Sequence, residues 1–183
     1  KTVLSAEHML IKALKRAKYL VKKNINIYTT PNLKNLLEKE FTKQDFEKDS
    51  NLIDSFAELD DFDIYTCLKN WKSADDFVLS NISKKIINRN ILKIKIVRSP
   101  IEEKEKDKLK DVFIEKNNCS KKEAEYFIFS DKVSNSTYNI KKANINILMN
   151  NGDVTDITSA SDQFDNQALN KTVKKYFLCY TSS

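Results

Sequence analysis

The chain has 183 residues but only one glycine, two prolines and one histidine. Each shortage removes a class of protein. Tight turns rely on glycine for positive φ, so a turn-rich β-sandwich or a Rossmann domain is excluded. Neither a Walker A loop nor a GxGxxG fingerprint can be written with one glycine. One histidine, His8, cannot furnish the ligand set of a transition-metal hydrolase, and no Ser-His-Asp or Cys-His arrangement is built around it. The three cysteines, Cys67, Cys119 and Cys179, are odd in number, far apart and without a CxxC pair. That usage suits a reducing compartment, so a cytoplasmic location is expected. No apolar run reaches transmembrane length and no signal peptide is recognisable, so no membrane partner is expected. The sequence opens at Lys1 inside a helical pattern and is expected to be a piece of a longer protein.

What is present is charge and enough apolar side chain for a core. Hydrophobic residues make up 40% and charged residues 32%. The net charge of +6 is unevenly placed. Residues 1–23 carry seven basic groups against Glu7, and residues 84–98 carry six with no acid. Residues 38–63 hold ten acids against three lysines. This is not the even basic coat of a general nucleic-acid binder. Two basic segments can meet around a small polyanion, or they are two solvated helix faces.

The pattern along the chain predicts an α+β fold: a helical bundle half, residues 1–90, followed by a small α+β subdomain with an antiparallel sheet, residues 91–183. Val3, Leu10, Leu14, Ala17 and Val21 form one apolar face of a helix over 3–23. Thr30-Pro31 opens a helix through Phe41. Ser50 is expected to cap the next, with Leu52, Ile53, Phe56 and Leu59 inward. Ser73 to Asp76 reads as a capping box before a helix with Val78, Ile82 and Ile86 on one face. The period then changes, and Leu92 to Ile96 alternates as a half-buried strand. Ser99-Pro100 precedes a charged helix over 101–117, and Ser120 to Glu123 is a second capping box. Tyr126 to Phe129 reads as a strand. Ile145 to Ile147 runs into Asn151-Gly152, the signal of a type I′ hairpin, with Val154 and Ile157 beyond it. Residues 162–172 look helical, and Lys174 to Tyr180 looks like a last strand.

Two segments invite a chemical reading. Asp60, Asp61 and Asp63 supply oxygen ligands suited to Mg²⁺ or Ca²⁺, but the glycine and final glutamate of an EF-hand loop are missing. The competing reading is a helix start, with Asp60 as the cap and Ile64, Cys67, Leu68 and Trp71 as a buried stripe. Arg89-Asn-Ile-Leu-Lys93 lies where helix gives way to strand. An arginine can grip a phosphate with two parallel hydrogen bonds and a lysine adds a mobile charge. The same cations can equally offset the dipole at a helix C-terminus.

Taken in order, Lys1-Thr-Val-Leu-Ser-Ala-Glu7, Leu14-Lys-Arg-Ala-Lys18, Leu59-Asp-Asp-Phe-Asp-Ile64, Asn88-Arg-Asn-Ile-Leu-Lys93 and Lys175-Tyr-Phe-Leu-Cys-Tyr180 form a series. It resembles the part C-terminal to the catalytic core in bacterial HD-superfamily phosphohydrolases, the group that contains the deoxynucleoside triphosphate triphosphohydrolases. The resemblance implies that an upstream HD core, outside this chain, holds a divalent metal. It implies that this chain contains no catalytic residue and no metal ligand, needs no cofactor of its own and is inactive alone. Its partners would be that core, further copies in a homo-oligomer, and a nucleotide effector whose phosphates face Arg89, Lys93 and Lys1. Asn150 stands about where regulated relatives place a lysine, a departure from the effector pattern. The alternative reading is a non-catalytic module that binds nucleic acid or protein through the basic helix 1–23.

Overall fold

The computed structural model describes residues 1–135, 145–156 and 173–181. The fold is α+β, as the pattern predicts. Among the described residues the helices are α1 (Thr2–Lys22), α2 (Pro31–Glu38), α3 (Lys43–Lys48), α4 (Ser50–Ala57), α5 (Asp61–Trp71), α6 (Phe77–Ile87), α7 (Glu103–Asn117) and α8 (Lys121–Ala124). The strands are β1 (Lys93–Val97), β2 (Phe129–Asn135), β3 (Asn146–Leu148), β4 (Val154–Asp156) and β5 (Val173–Tyr180). They form an antiparallel sheet in the order β1-β5-β2 and a separate β3-β4 pair. The expected helix over 162–172, and Ile157, lie outside the described residues.

The chain divides into two compact units. One comprises residues 1–95, 102–129 and 178–183, the other residues 96–101 and 130–177. The helices α7 and α8 therefore group with the first six, although they follow residue 90.

In the larger unit α1 and α6 pack side by side and run antiparallel. Ser5 Oγ donates to the Leu92 carbonyl at 2.7 Å, while Arg16 reaches Asp76 at the opposite end of α6. The buried face of α1 is Ser5, Met9, Ala13, Ala17 and Leu20. This corrects the expected stripe. Ala17 belongs to it, but Val3 is 80% exposed, and Leu10, Leu14 and Val21 are only half-buried. Ser80 and Ser83 are buried on α6. Small side chains on both helices let the two backbones approach, and bulky apolar residues are displaced to the flanks.

Local signals fixed several helix starts. Pro31 stands at the first position of α2 behind Thr30, and the helix ends at Glu38 rather than Phe41. Lys18 of α1 donates to the Leu36 and Lys39 carbonyls at its end, 3.3 and 2.9 Å away. Ser120 and Glu123 form the expected box at α8. Two caps fall elsewhere than predicted. Asp49, not Ser50, caps α4 by accepting from the Asn51 N–H. Asp76, not Ser73, caps α6 by accepting from the Leu79 N–H at 2.8 Å. On α4 only Leu52 is buried, and Ile53 and Phe56 are exposed, against expectation. The unpredicted α3 carries Phe46, whose ring contacts Phe41 and Phe56.

The run from Tyr126 to Phe129 is not one strand. Residues 125–127 continue α8 as a turn, with the Ile128 N–H donating to the Ala124 carbonyl at 2.9 Å, and β2 begins at Phe129. Phe127 and Ile128 are buried because the turn points both inward; the apolar run carries no strand period.

With one glycine available, helices must end on other residues. Asn24, Arg89 and Asn118, following α1, α6 and α7, all adopt positive φ. Asparagine tolerates that region better than most side chains. The glycine itself sits in the smaller unit. Gly152, at φ 90, closes the hairpin in which Ile147 pairs with Thr155. The expected type I′ turn is not formed, since Asn151 lacks the positive φ it requires. The Gly152 N–H donates to the Met149 carbonyl and the Met149 N–H to the Asp153 carbonyl. That is a three-residue loop with glycine in a bulge, the next commonest way to join two strands.

Candidate functional site

The aspartate trio is a helix start. Asp60 accepts from the N–H groups of Phe62 and Asp63 at 2.8 and 3.2 Å, and Asp63 accepts in return from the Asp60 N–H. The helix so begun buries Cys67, Leu68 and Trp71. Among the described residues no group of His, Cys, Asp and Glu could hold a metal ion. His8 packs its ring 6.1 Å from that of Phe129. Burial pushes the Cys67 thiol up, away from the reactive thiolate.

The basic helix does not present one uniform cationic face. Lys12 donates to the Glu125 carbonyl and lies 4.7 Å from the centre of the Phe129 ring. Arg16 holds Asp76 with both arms, at 3.0 and 2.6 Å, and its guanidinium also lies over Tyr19 and Tyr126. Lys18 and Lys22 both pair with Glu40, which sits below its usual value because both lysines hydrogen-bond to it. These contacts within the chain weigh against the nucleic-acid surface.

The second basic segment is built differently. At the end of α6 the Arg89 N–H donates to the Ile86 carbonyl and the Asn90 N–H to the Lys85 carbonyl. This pair of bonds is a Schellman motif, and it places Arg89 in the left-handed position, φ 57, where glycine is the easy residue. Three residues on, Leu92 is clamped to α1 by Ser5 Oγ and by its own N–H to the Met9 sulfur at 3.3 Å. The clamp brings the N-terminal end of α1, with Lys1, to the end of α6 that carries Arg89, and β1 starts there at Lys93. The three side chains are exposed, and none has a carboxylate partner among the described residues. The structure therefore brings Lys1, Arg89 and Lys93 to one end of the α1–α6 pair.

A cavity of about 220 Å³ lies against this segment, lined by Asn81, Lys84, Lys85, Asn88 and Asn90. Sequence reasoning counted Lys84 and Lys85 only within the basic segment 84–98 and gave them no role of their own. Lys85 is half-buried, and burial pushes its ammonium below the ordinary lysine value. The acid-free composition of 84–98 was the available signal.

Arginine in a left-handed turn costs about 1 kcal/mol relative to glycine. Arg89→Gly is therefore expected to raise stability by about 1 kcal/mol in urea unfolding. A loss of stability instead would mean that the arginine side chain itself supports the fold.

The chain is similar over its whole length to a phosphohydrolase from Bacteroides thetaiotaomicron known from a crystal structure. The identity is 34%, the TM-score 0.81, and the match covers 100% of this chain and 45% of that one. This chain thus spans less than half of that protein's length. Comparison with family models finds no match, and neither does comparison with curated proteins.

Proposed function

We propose that this chain is the C-terminal, non-catalytic region of a metal-dependent phosphohydrolase of the HD superfamily that acts on nucleotides. The similarity at 34% identity across the entire chain, reaching less than half of the solved phosphohydrolase, carries the reading. Among the described residues no group fits a divalent metal, so no catalytic step is assigned to them. The metal belongs in the HD core of the parent protein, a cytoplasmic enzyme. Hydrolysis of nucleoside triphosphates by the purified 183-residue chain, with and without Mg²⁺ or Mn²⁺, tests this. No turnover is expected, and metal-dependent turnover would falsify the assignment.

The region's own work is contact and regulation. Val3 and Phe62 are each 80% exposed, and Phe56 and Tyr65 are more than half exposed. Apolar side chains left open in this way support burial against the HD core or against further copies in a homo-oligomer. Arg89, Lys93 and Lys1 form the effector phosphate site of this reading, with Arg89 as the two-armed donor and the lysines as point charges. In the assembled oligomer dGTP or dATP is expected to raise the melting temperature, and Arg89→Glu to abolish the rise. An unchanged melting temperature in the unaltered protein counts against the site.

A further inference from the structure

A second cavity, of about 230 Å³, opens beside the one at the end of α6 and shares Asn81 and Lys85 with it. Its floor is aromatic. Phe127 stacks on Phe113 of α7 with ring centres 4.9 Å apart and meets Phe77 of α6 at 5.8 Å. Phe113 and Phe127 are buried, so the floor is held rigidly by the core. The rim is polar and carries cations, Lys85 from α6 and Lys116 from α7. Neither lysine has a carboxylate partner among the described residues, whereas Lys106 and Lys110 of α7 do. Asn81 and Asn117 each donate their amide N–H to a carbonyl of their own helix, at 2.8 Å. Their amide oxygens are left as acceptors on the rim. The adjoining cavity is lined only by asparagine and lysine, with no acid.

Three chemistries therefore meet in order: an aromatic floor, amide acceptors, and unpaired cations leading into an all-polar annex. We infer that this pair of cavities binds a heteroaromatic anion, with an amino-bearing ring on the phenylalanine floor and its anionic group between Lys85 and the annex. The volume admits one ring system, and the charged group must lie outside it, over the lysines. An aromatic ring is favoured over an aliphatic chain because three phenylalanines line the cavity, which suits edge-to-face contact, and the amide oxygens reward ring N–H donors. A purely inorganic anion would leave the aromatic floor unused. The annex lies against the segment that carries Arg89, but the aromatic floor belongs to α6, α7 and the turn after α8, and the inference does not depend on the phosphohydrolase reading.

Calorimetric titration of the chain with adenosine monophosphate, indole-3-carboxylate, adenosine and inorganic phosphate tests the inference. One or both aromatic anions should bind saturably, and which of them does distinguishes a nucleotide from an aromatic acid. Adenosine and phosphate should bind at least about tenfold more weakly, since each lacks one of the two anchors. The double variant Lys85→Gln, Lys116→Gln should weaken binding by about tenfold or more. Lys116 is exposed and Lys85 half-buried, and neither has a carboxylate partner among the described residues, so the variant is expected to keep the melting temperature of the parent. Val112→Trp, at the exposed mouth, should block the cavity and remove binding by a second route. Absence of saturable binding by either aromatic anion, equal binding of inorganic phosphate, or binding that survives both variants would overturn the inference.

Discussion

Asp76→Ala is expected to destabilise the chain by about 3 kcal/mol, measured by urea unfolding. The carboxylate does two things at once. It caps α6 through the Leu79 N–H, and it receives both arms of Arg16 from α1. The ion pair is largely shielded, with side-chain exposures of 15% and 13%. Removing the acid leaves a guanidinium half-buried without its counter-charge, which is costlier than losing a surface pair. Asp76→Asn separates the two roles, because asparagine still caps but carries no charge. It should lose most of the stability, and full retention would show that the cap alone matters. The pH dependence follows from the same contact. Burial pushes the Asp76 carboxyl up, but the hydrogen bonds from Arg16 and from the Leu79 N–H outweigh it, and its pKa lies below the ordinary value. A depressed folded-state pKa stabilises above the unfolded value of about 3.9 and ceases to do so as pH falls through the folded value. Acid unfolding should therefore begin below about pH 4, and Asp76→Ala should flatten the part of the curve due to this group.

Trp71→Ala is expected to cost about 4 kcal/mol, enough to unfold a marginal domain. The indole is 1% exposed at the end of α5, and its N–H donates to the Tyr28 carbonyl at 2.7 Å. Alanine would leave both a cavity and an unpaired carbonyl. Trp71→Phe keeps most of the volume but still strands the carbonyl, and should cost about 1–2 kcal/mol. Trp71 is the chain's sole tryptophan, so its fluorescence reports unfolding of this unit directly in the unaltered protein. Equal stabilities of the alanine variant and the unaltered chain would remove Trp71 from the core.

Both sites were partly visible in the sequence. The run from Asp60 to Trp71 reads as cap plus buried stripe because cap and stripe are set by neighbours within a turn or two. Likewise Pro31 and Ser120 mark helix starts by their own stereochemistry, and Lys93 to Val97 alternates because a strand has period two. Arg89 could be singled out as a cation at a helix end, but nothing local says that it occupies a left-handed turn. That choice depends on Leu92 being fastened to Ser5 and Met9, more than eighty residues away in sequence.

The sequence by itself determined the α+β class, the ends of several helices and the two basic segments. Those follow from short-range forces: capping donors, proline geometry, the periods of apolar residues and the scarcity of glycine. Tertiary structure decided which face of α1 is buried, since close packing on α6 selects Ser5, Ala13 and Ala17 over larger apolar neighbours. It decided that Asp76 rather than Ser73 caps α6, because Arg16 arrives from another helix. It also gathered Phe77, Phe113 and Phe127 under Lys85 and Lys116. No periodicity can reveal a cavity assembled from two helices and a turn, because its shape exists only once they pack.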